Sequence, residues 1–259
     1  MYLVLLFATT ALLGTSRSAN VNKHMRLLSE LDNSIENNVS ATKKSGAGAP
    51  RRFLTITQRP QPIYAHSSGE VLELTCDAAG APAPSIHWFK NDAPVYEHDL
   101  QSNELIDSNP SSLARVISTL LVTRTAGQDV YTCLVASGNK TTRATTVVYS
   151  KDGSTLLTER AKLFPLKPRI LVTYEMYMDT MGNNIVLPCR VKGHPKPHVA
   201  WTDNNGVAIR KNPRMKVLRS GELVISSLRW SDMGEFSCQA TNVFGTMSTK
   251  TFVYPAKAG

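Results

Sequence analysis

Residues Cys76 to Trp88 read CDAAGAPAPSIHW, and residues Cys189 to Trp201 read CRVKGHPKPHVAW. In both stretches a tryptophan lies 12 residues after a cysteine, and a glycine and two prolines occupy matching positions between them. The two stretches are offset by 113 residues. The chain therefore contains a tandem repeat of one structural unit.

Each copy closes with a second cysteine that has an aromatic residue two positions earlier, which is Tyr131 before Cys133 and Phe236 before Cys238. Alternate residues around each first cysteine are apolar, and this period of two predicts a β-strand with one face in a core. The positions are Leu72, Leu74, Cys76 and Ala78 in the first copy, and Ile185, Leu187, Cys189 and Val191 in the second.

Two such sheets packed face to face would bring the early and late cysteines together over a buried tryptophan, which resembles an immunoglobulin sandwich. The run from Trp230 to Gly245, WSDMGEFSCQATNVFG, resembles the intermediate-set pattern of that fold. The resemblance implies an all-β chain of two tandem immunoglobulin-like domains. It further implies disulfides Cys76–Cys133 and Cys189–Cys238, and core positions for Trp88, Tyr131, Trp201 and Phe236.

Both copies depart from the immunoglobulin pattern before their second cysteine. Phe236 stands where the pattern prefers tyrosine, and Gly127-Gln128-Asp129 reverses the usual Asp-x-Gly order. We therefore expect a different turn before that strand in the first copy. Other cysteine pairings and a zinc site are the competing interpretations of the four cysteines, although the sequence has no Cys-x-x-Cys spacing.

The amino terminus predicts export from the cell. Residues 1–16, MYLVLLFATTALLGTS, have an apolar middle followed by small residues, and we assign residues 1–19 to a signal peptide. This stretch is shorter than the ~20 residues that span a bilayer, so we expect no membrane span. An extracellular location favours paired cysteines. The sequons at Asn38 and Asn139 are candidate glycosylation sites.

Composition and length fit two globular domains. The chain has 259 residues, of which 42% are hydrophobic and 19% charged. We expect a flexible leader at 20–52, the first domain at 53–150, a linker at 151–165 and the second domain at 166–259. The linker is apolar and is expected to pack on another surface, because a solvated spacer has no use for Leu156, Leu157, Leu163 and Phe164.

Strand alternation predicts that the first domain has an apolar outer face. With Trp88 and Tyr131 inward, Phe89, Val130 and Leu134 point outward. The corresponding positions of the second domain are small or polar: Ala200, Thr202, Glu235, Ser237 and Gln239. Two interpretations stay open: the face and the linker form one surface that binds a hydrophobic peptide hormone, or the linker covers the face.

The formal charge of +9 is concentrated in the second domain and the leader. A basic segment of five residues could meet sulfated glycans or an acidic partner, or remain a solvated edge: Arg210, Lys211, Arg214, Lys216 and Arg219. Nucleic acid is not expected to meet a secreted chain. The sequence carries no hydrolase, metalloprotease or phosphate-loop motif, so we expect no enzyme and no cofactor.

The second copy resembles a narrower family, the insect ecdysone-inducible neural/ectodermal development factors, in its runs Lys167–Ile170, Met181–Val191, Asp232–Gly234 and Thr251–Pro255. These are secreted proteins of two immunoglobulin domains. The resemblance implies binding of insulin-like peptide hormones and antagonism of their signalling. The alternative is an adhesion or matrix protein that binds cell-surface partners or sulfated glycans.

Overall fold

The computed structural model describes residues 52–67, 69–95, 109–125, 127–151, 165–210 and 212–257. Several predicted features lie outside these described residues. They are the signal peptide, nearly all of the leader, most of the linker and one residue of the basic segment. The predicted site residues among them are Asn38 of the leader, Leu156, Leu157, Leu163 and Phe164 of the linker, and Lys211 of the basic segment.

The first domain is a sandwich of two sheets, as the alternating pattern predicts. One sheet contains β1, β3 and β6, and the other has the strand order β2-β8-β7-β4-β5. The strands are β1 (Phe53–Gln58), β2 (Ile63–His66), β3 (Leu72–Ala81), β4 (Ser85–Lys90), β5 (Ala93–Pro94), β6 (Leu113–Val122), β7 (Gln128–Ser137) and β8 (Lys140–Ser150).

The second domain is also a sandwich, and its smaller sheet has the order β10-β14-β13. A 3-10 helix at Trp230–Asp232 precedes its last two strands. The strands are β9 (Leu166–Thr180), β10 (Ile185–Leu187), β11 (Cys189–His194), β12 (His198–Thr202), β13 (Met215–Val217), β14 (Leu223–Ile225), β15 (Gly234–Asn242) and β16 (Gly245–Ala256).

Pro188 divides what the sequence predicts as one continuous strand. The residues before it, in β10, pair with β14, whereas those after it, in β11, pair with β9 in the other sheet. Proline cannot donate a main-chain hydrogen bond, so the ladder breaks there and the chain changes sheets. The alternation nevertheless places Ile185, Leu187 and Cys189 in the core, as predicted.

The predicted disulfides are confirmed. Cys76 is bonded to Cys133 and Cys189 to Cys238, with 6.5 Å between the Cα atoms of each pair. Since all four sulfurs are in disulfides, none can hold zinc. The neighbouring tryptophans are buried and satisfy their ring N–H groups, because Trp88 donates to Ser118 Oγ at 3.0 Å and Trp201 to the Gly221 carbonyl at 2.8 Å.

The reversed motif in the first domain, Gly127-Gln128-Asp129, supplies one partner of an ion pair. Asp129 is buried, and its carboxylate lies 2.9 Å from Lys90 Nζ and accepts a hydrogen bond from Asn91 Nδ2. Lys90 also lies 5.7 Å from the ring centroid of Tyr131. Burial lowers the pKa of Lys90, but Asp129 and Tyr131 together raise it by more, so strand β4 holds a charged lysine beside a buried aspartate.

The two domains share one sheet. Strand β6 of the first domain pairs antiparallel with β9 of the second, from Leu113 opposite Met178 to Ser118 opposite Val172. The result is an eight-stranded sheet with the path β1-β3-β6-β9-β16-β15-β12, and β11 also pairs with β9. The main chain therefore fixes one domain against the other, an arrangement that the sequence does not predict.

Side chains reinforce this pairing on the sheet surface. Arg169 Nε of the second domain lies 2.7 Å from Glu73 Oε1 of the first. Tyr174 and Tyr177, both on β9, stack with their ring centroids 5.2 Å apart and belong to a buried apolar cluster that includes residues of both domains. The interface is thus a continuation of both cores.

A buried carboxylate closes one end of the interface. Asp179 is 0% exposed and accepts hydrogen bonds from first-domain and second-domain donors. The donors are Asn109 Nδ2 at 2.7 Å, Ser111 Oγ at 2.9 Å, Tyr177 OH at 3.1 Å, Thr180 N at 2.7 Å and Asn183 Nδ2 at 2.9 Å. Burial, followed by the negative charge of Asp179, raises the pKa of Tyr177, so its hydroxyl remains a donor.

We expect Asp179→Ala to lower the free energy of unfolding by about 3 kcal/mol, because buried donors from both domains lose a charged acceptor. Urea denaturation followed by tryptophan fluorescence measures the change. The control is Glu70→Ala, which removes an exposed carboxylate and should change stability by less than about 0.5 kcal/mol. Equal effects of the two variants would contradict a clamping role for Asp179.

A second polar contact across the interface is incompletely satisfied. Arg115 lies between two acids, with Nη2 3.7 Å from Asp77 Oδ2 and Nη1 3.1 Å from Glu175 Oε2. Asp77 is buried, and its Oδ1 has no hydrogen-bond partner among the described residues. Burial raises the pKa of Asp77, Arg115 partly offsets this, and Glu175 adds a smaller increase. The charged form of Asp77 therefore opposes folding.

Asp77→Asn should raise the free energy of unfolding at neutral pH. In the native protein the folded-state pKa of Asp77 lies above its unfolded value, so stability is lost as pH rises through the folded pKa. The variant removes that loss, and its advantage should shrink below the unfolded pKa of about 3.9. Urea denaturation of both proteins at pH 7.5 and pH 3.5 tests this; a variant less stable at pH 7.5 would contradict it.

Candidate partner-binding face on the first domain

The structure places the predicted inward and outward residues of β4 and β7 on opposite sides of their sheet. Trp88, Tyr131 and Cys133 are buried. Val130 is 39% exposed, and Phe89 and Leu134 are half-buried. Their orientation agrees with the alternation read from the sequence.

Three apolar residues that sequence reasoning missed extend this outer face. Ile63, Val147 and Val130 stand opposite one another on β2, β8 and β7, and thus form an apolar row across three strands. Ile63 is 62% exposed, and Tyr149, two residues beyond Val147 on the same face, is 43% exposed. We call the whole set the apolar face: Ile63, Phe89, Val130, Leu134, Val147 and Tyr149.

The missed residues differ in whether the sequence carries a signal for them. Ile63 follows a proline and lies on a four-residue strand, which pairs in parallel with β8 more than 80 residues later in the chain. No local sequence pattern predicts such a pairing between distant strands. The alternation in β8 does carry a signal, because buried Ala144, Thr146 and Val148 alternate with residues that include Val147 and Tyr149.

The corresponding face of the second domain is polar. Ala200 stands opposite Gln239 and Thr202 opposite Ser237 on β12 and β15. Glu235 on the same face lies 2.9 Å from Lys250 Nζ in an ion pair. Exposed apolar side chains of this domain lie elsewhere: Val243, Phe244 and Met247 at the β15–β16 hairpin, Val207 after β12, and Trp230 in the 3-10 helix.

The basic segment divides into two kinds of residue. Arg210, Lys216 and Arg219 are exposed. Arg214, by contrast, makes two hydrogen bonds to buried Asp232, at 2.9 Å from Nη1 and 2.7 Å from Nη2. Arg214 thus serves the fold, and its predicted place among the surface cations needs this correction.

Asn139, the candidate glycosylation site within the described residues, is exposed. It lies with Gly138 in the two-residue turn between β7 and β8, and Gly138 adopts a φ of 55°. A left-handed φ suits glycine, which lacks a Cβ atom. The sequon therefore stands at a hairpin tip where its amide is open to solvent, at the opposite end of β8 from Tyr149.

Comparison with known proteins agrees with this architecture. A family model for the immunoglobulin I-set domain matches residues 168–254, and one for an immunoglobulin domain matches residues 55–137. Neural/ectodermal development factor IMP-L2 of Drosophila melanogaster is 36% identical over 228 residues, which are 87% of this chain and 85% of that protein. The crystal structure of neural ectodermal development factor IMP-L2 matches with a TM-score of 0.70 and 34% identity, covering 80% of this chain and 96% of the other.

Two disulfide-bonded sandwiches that match immunoglobulin family models, together with the similarity to IMP-L2, indicate a non-enzymatic binding protein of the immunoglobulin class. A more distant match, to the peroxidasin homolog of Homo sapiens, is 28% identical, covers 76% of this chain but 12% of that protein, and runs through immunoglobulin domains alone. The chain belongs to the family of the neural/ectodermal development factor IMP-L2. Within the described residues, no helix is long and apolar enough to cross a bilayer.

The role of Arg214 predicts unequal effects for two neighbouring basic residues. Arg214→Gln should lower the free energy of unfolding by about 3 kcal/mol, because buried Asp232 loses its ion-pair partner. Lys216→Gln, which removes an exposed charge from the adjacent strand, should change it by less than about 0.5 kcal/mol. Thermal unfolding of both variants tests this, and equal stability would show that Asp232 does not need the arginine.

Proposed function

We propose that this protein binds an insulin-like peptide hormone through the apolar face of the first domain and thereby keeps the hormone from its receptor. The observation that carries the proposal is the apolar row of Ile63, Val147 and Val130 on one domain, of which Ile63 and Val130 are exposed, whereas the equivalent face of the other domain is polar. Membership of the IMP-L2 family supports the proposal, because the resemblance to that family implies hormone binding.

The physical requirements of sequestration fit such a face. A binder that competes with a receptor must cover apolar hormone surface, and a standard protein interface buries about 800 Å² on each partner. Apolar side chains held on a sheet lose little conformational freedom on binding. Strands β7 and β8 lie in a five-stranded sheet, and the Cys76–Cys133 disulfide ties that sheet to the shared one, so little binding energy is spent on ordering the site.

The extracellular fluid is the proposed place of action. Both disulfides suit an oxidising compartment. The predicted signal peptide supports export by the same route. A secreted binder in that fluid meets the hormone before the hormone reaches a cell surface, and it lowers signalling by reducing the free concentration of the hormone.

Titration of the full chain with a purified insulin-like peptide tests the proposal. We expect saturable binding at physiological salt, weakened more than about tenfold by Ile63→Asp or Val130→Asp, because each places a charge in a desolvated apolar interface. Isothermal titration calorimetry measures both affinities. Phe89→Asp, which changes a half-buried residue, provides a third position on the same face.

Ala200→Asp is the matched control. It introduces the same charge at an exposed apolar position on the outer face of the second domain and should leave peptide affinity within about twofold. Absence of saturable binding to the unaltered chain would refute hormone binding. Full affinity in the Ile63 and Val130 variants, with unfolding temperatures unchanged, would refute this face as the site, as expected if the linker covered it.

A further inference from the structure

The second domain has an unusual distribution of acidic groups. Residues 166–259 contain 13 Lys and Arg but only six acids, which gives this domain a formal charge of +7. The six acids are Glu175, Asp179, Asp203, Glu222, Asp232 and Glu235. Their positions decide whether that positive charge is offset at the surface.

Every one of these acids is buried or already engaged. Three are buried with at most 2% of their surface exposed: Asp179, Glu222 and Asp232. Glu175 and Glu235 are paired with Arg115 and Lys250. Asp203 Oδ1 accepts the main-chain N–H groups of Asn205 and Val207, both at 2.9 Å. The surface of the domain is therefore dominated by cations.

Several of those cations lie along one edge. Strand β13 is an end strand of the small sheet, with β14 as its partner. Lys216 lies in the middle of β13 and is exposed. Arg219 lies in the turn beyond it, which is closed by a hydrogen bond from Gly221 N–H to the Leu218 carbonyl at 3.0 Å. Arg210 lies in the loop that leads to β13 and is exposed.

A fourth cation stands at the start of this edge. The main-chain N–H of Arg229 donates to Asp232 Oδ2, the same carboxylate that holds Arg214 just before β13, and Arg229 is exposed. The charges of Arg214 and Asp232 offset each other in their ion pair. A ligand that follows the strand therefore meets the charges of Arg229, Lys216 and Arg219. We call Arg210, Lys216, Arg219 and Arg229 the β13 cations.

The chemistry of this edge favours a flexible polyanion. Guanidinium groups bind sulfate oxygens in a bidentate manner, and sulfate stays ionised across the physiological pH range. Strand β13 and its following turn, Met215–Gly221, contain no aromatic residue, and the exposed Trp230 beside Arg229 already packs edge-on against Tyr254, with the ring centroids 6.2 Å apart. The edge thus lacks the series of stacking platforms typical of nucleic-acid binding. Cations on β13, in the loop before it and in the turn after it suit a linear chain of repeated negative charges.

We infer that the β13 cations bind a sulfated polysaccharide of the glycosaminoglycan type. The site lies on the second domain, on a different sheet from the apolar face of the first. The inference is therefore independent of hormone binding and adds a second activity, retention of the protein on extracellular matrix.

Heparin affinity of the full chain tests the inference. We expect retention on heparin at physiological salt, and at least about tenfold weaker binding for the triple variant Arg210→Gln, Lys216→Gln, Arg219→Gln. Each lost contact also removes released counterions, so the slope of log affinity against log salt should fall by about two. The matched control, Lys140→Gln, Arg143→Gln, Lys151→Gln, removes two exposed charges from the first domain and one from the linker residue that follows it, and should bind heparin within about twofold of the unaltered chain.

Three results would overturn the inference. Equal weakening by both triple variants would indicate a response to net charge alone. Undiminished binding to fully desulfated heparin would exclude sulfate recognition. Binding to phosphatidylserine vesicles through the same residues, without retention on heparin, would identify a membrane surface as the ligand. The β13 variant should bind insulin-like peptide normally, so failure of this inference and failure of hormone binding are distinguishable.

Discussion

The pairing of β6 with β9 is the constraint on which the rest of the structure depends. Within the described residues, β6 has only β3 as a partner in its own domain, and the side of β9 that faces β6 has no partner in the second domain. Unpaired edges invite association with other chains. Here each edge satisfies the other, and the buried tyrosines of β9 join the two cores across the junction.

The two domains joined at this junction present different surfaces to solvent. The sheet that contains β7 and β8 presents the apolar face outward. The shared sheet joins the first domain to the second through the pairing of β6 with β9. The second domain meets solvent with a polar outer face and a row of cations along β13. The proposed hormone-binding face and the proposed anion-binding edge therefore lie on different sheets of different domains.

The polar contacts at the junction differ in quality. Asp179 receives five hydrogen bonds and is fully satisfied, whereas Asp77 keeps an oxygen without a partner beside Arg115. Buried charges stabilise a fold only when donors surround them completely. Asp179 therefore stabilises the alignment of the two domains, whereas the charged form of Asp77 opposes folding.

The sequence by itself determined the two sandwiches, their disulfides and the orientation of Phe89, Val130 and Leu134, because cysteine spacing and a period of two are local properties. Only the tertiary structure decided that β6 and β9 share a sheet, that Ile63 completes the apolar row, and that Arg214 is held by Asp232. Each of these depends on residues distant in sequence meeting at a strand edge or in a core. Local alternation fixes which way a side chain points, but it does not fix which strand or charge lies beside it.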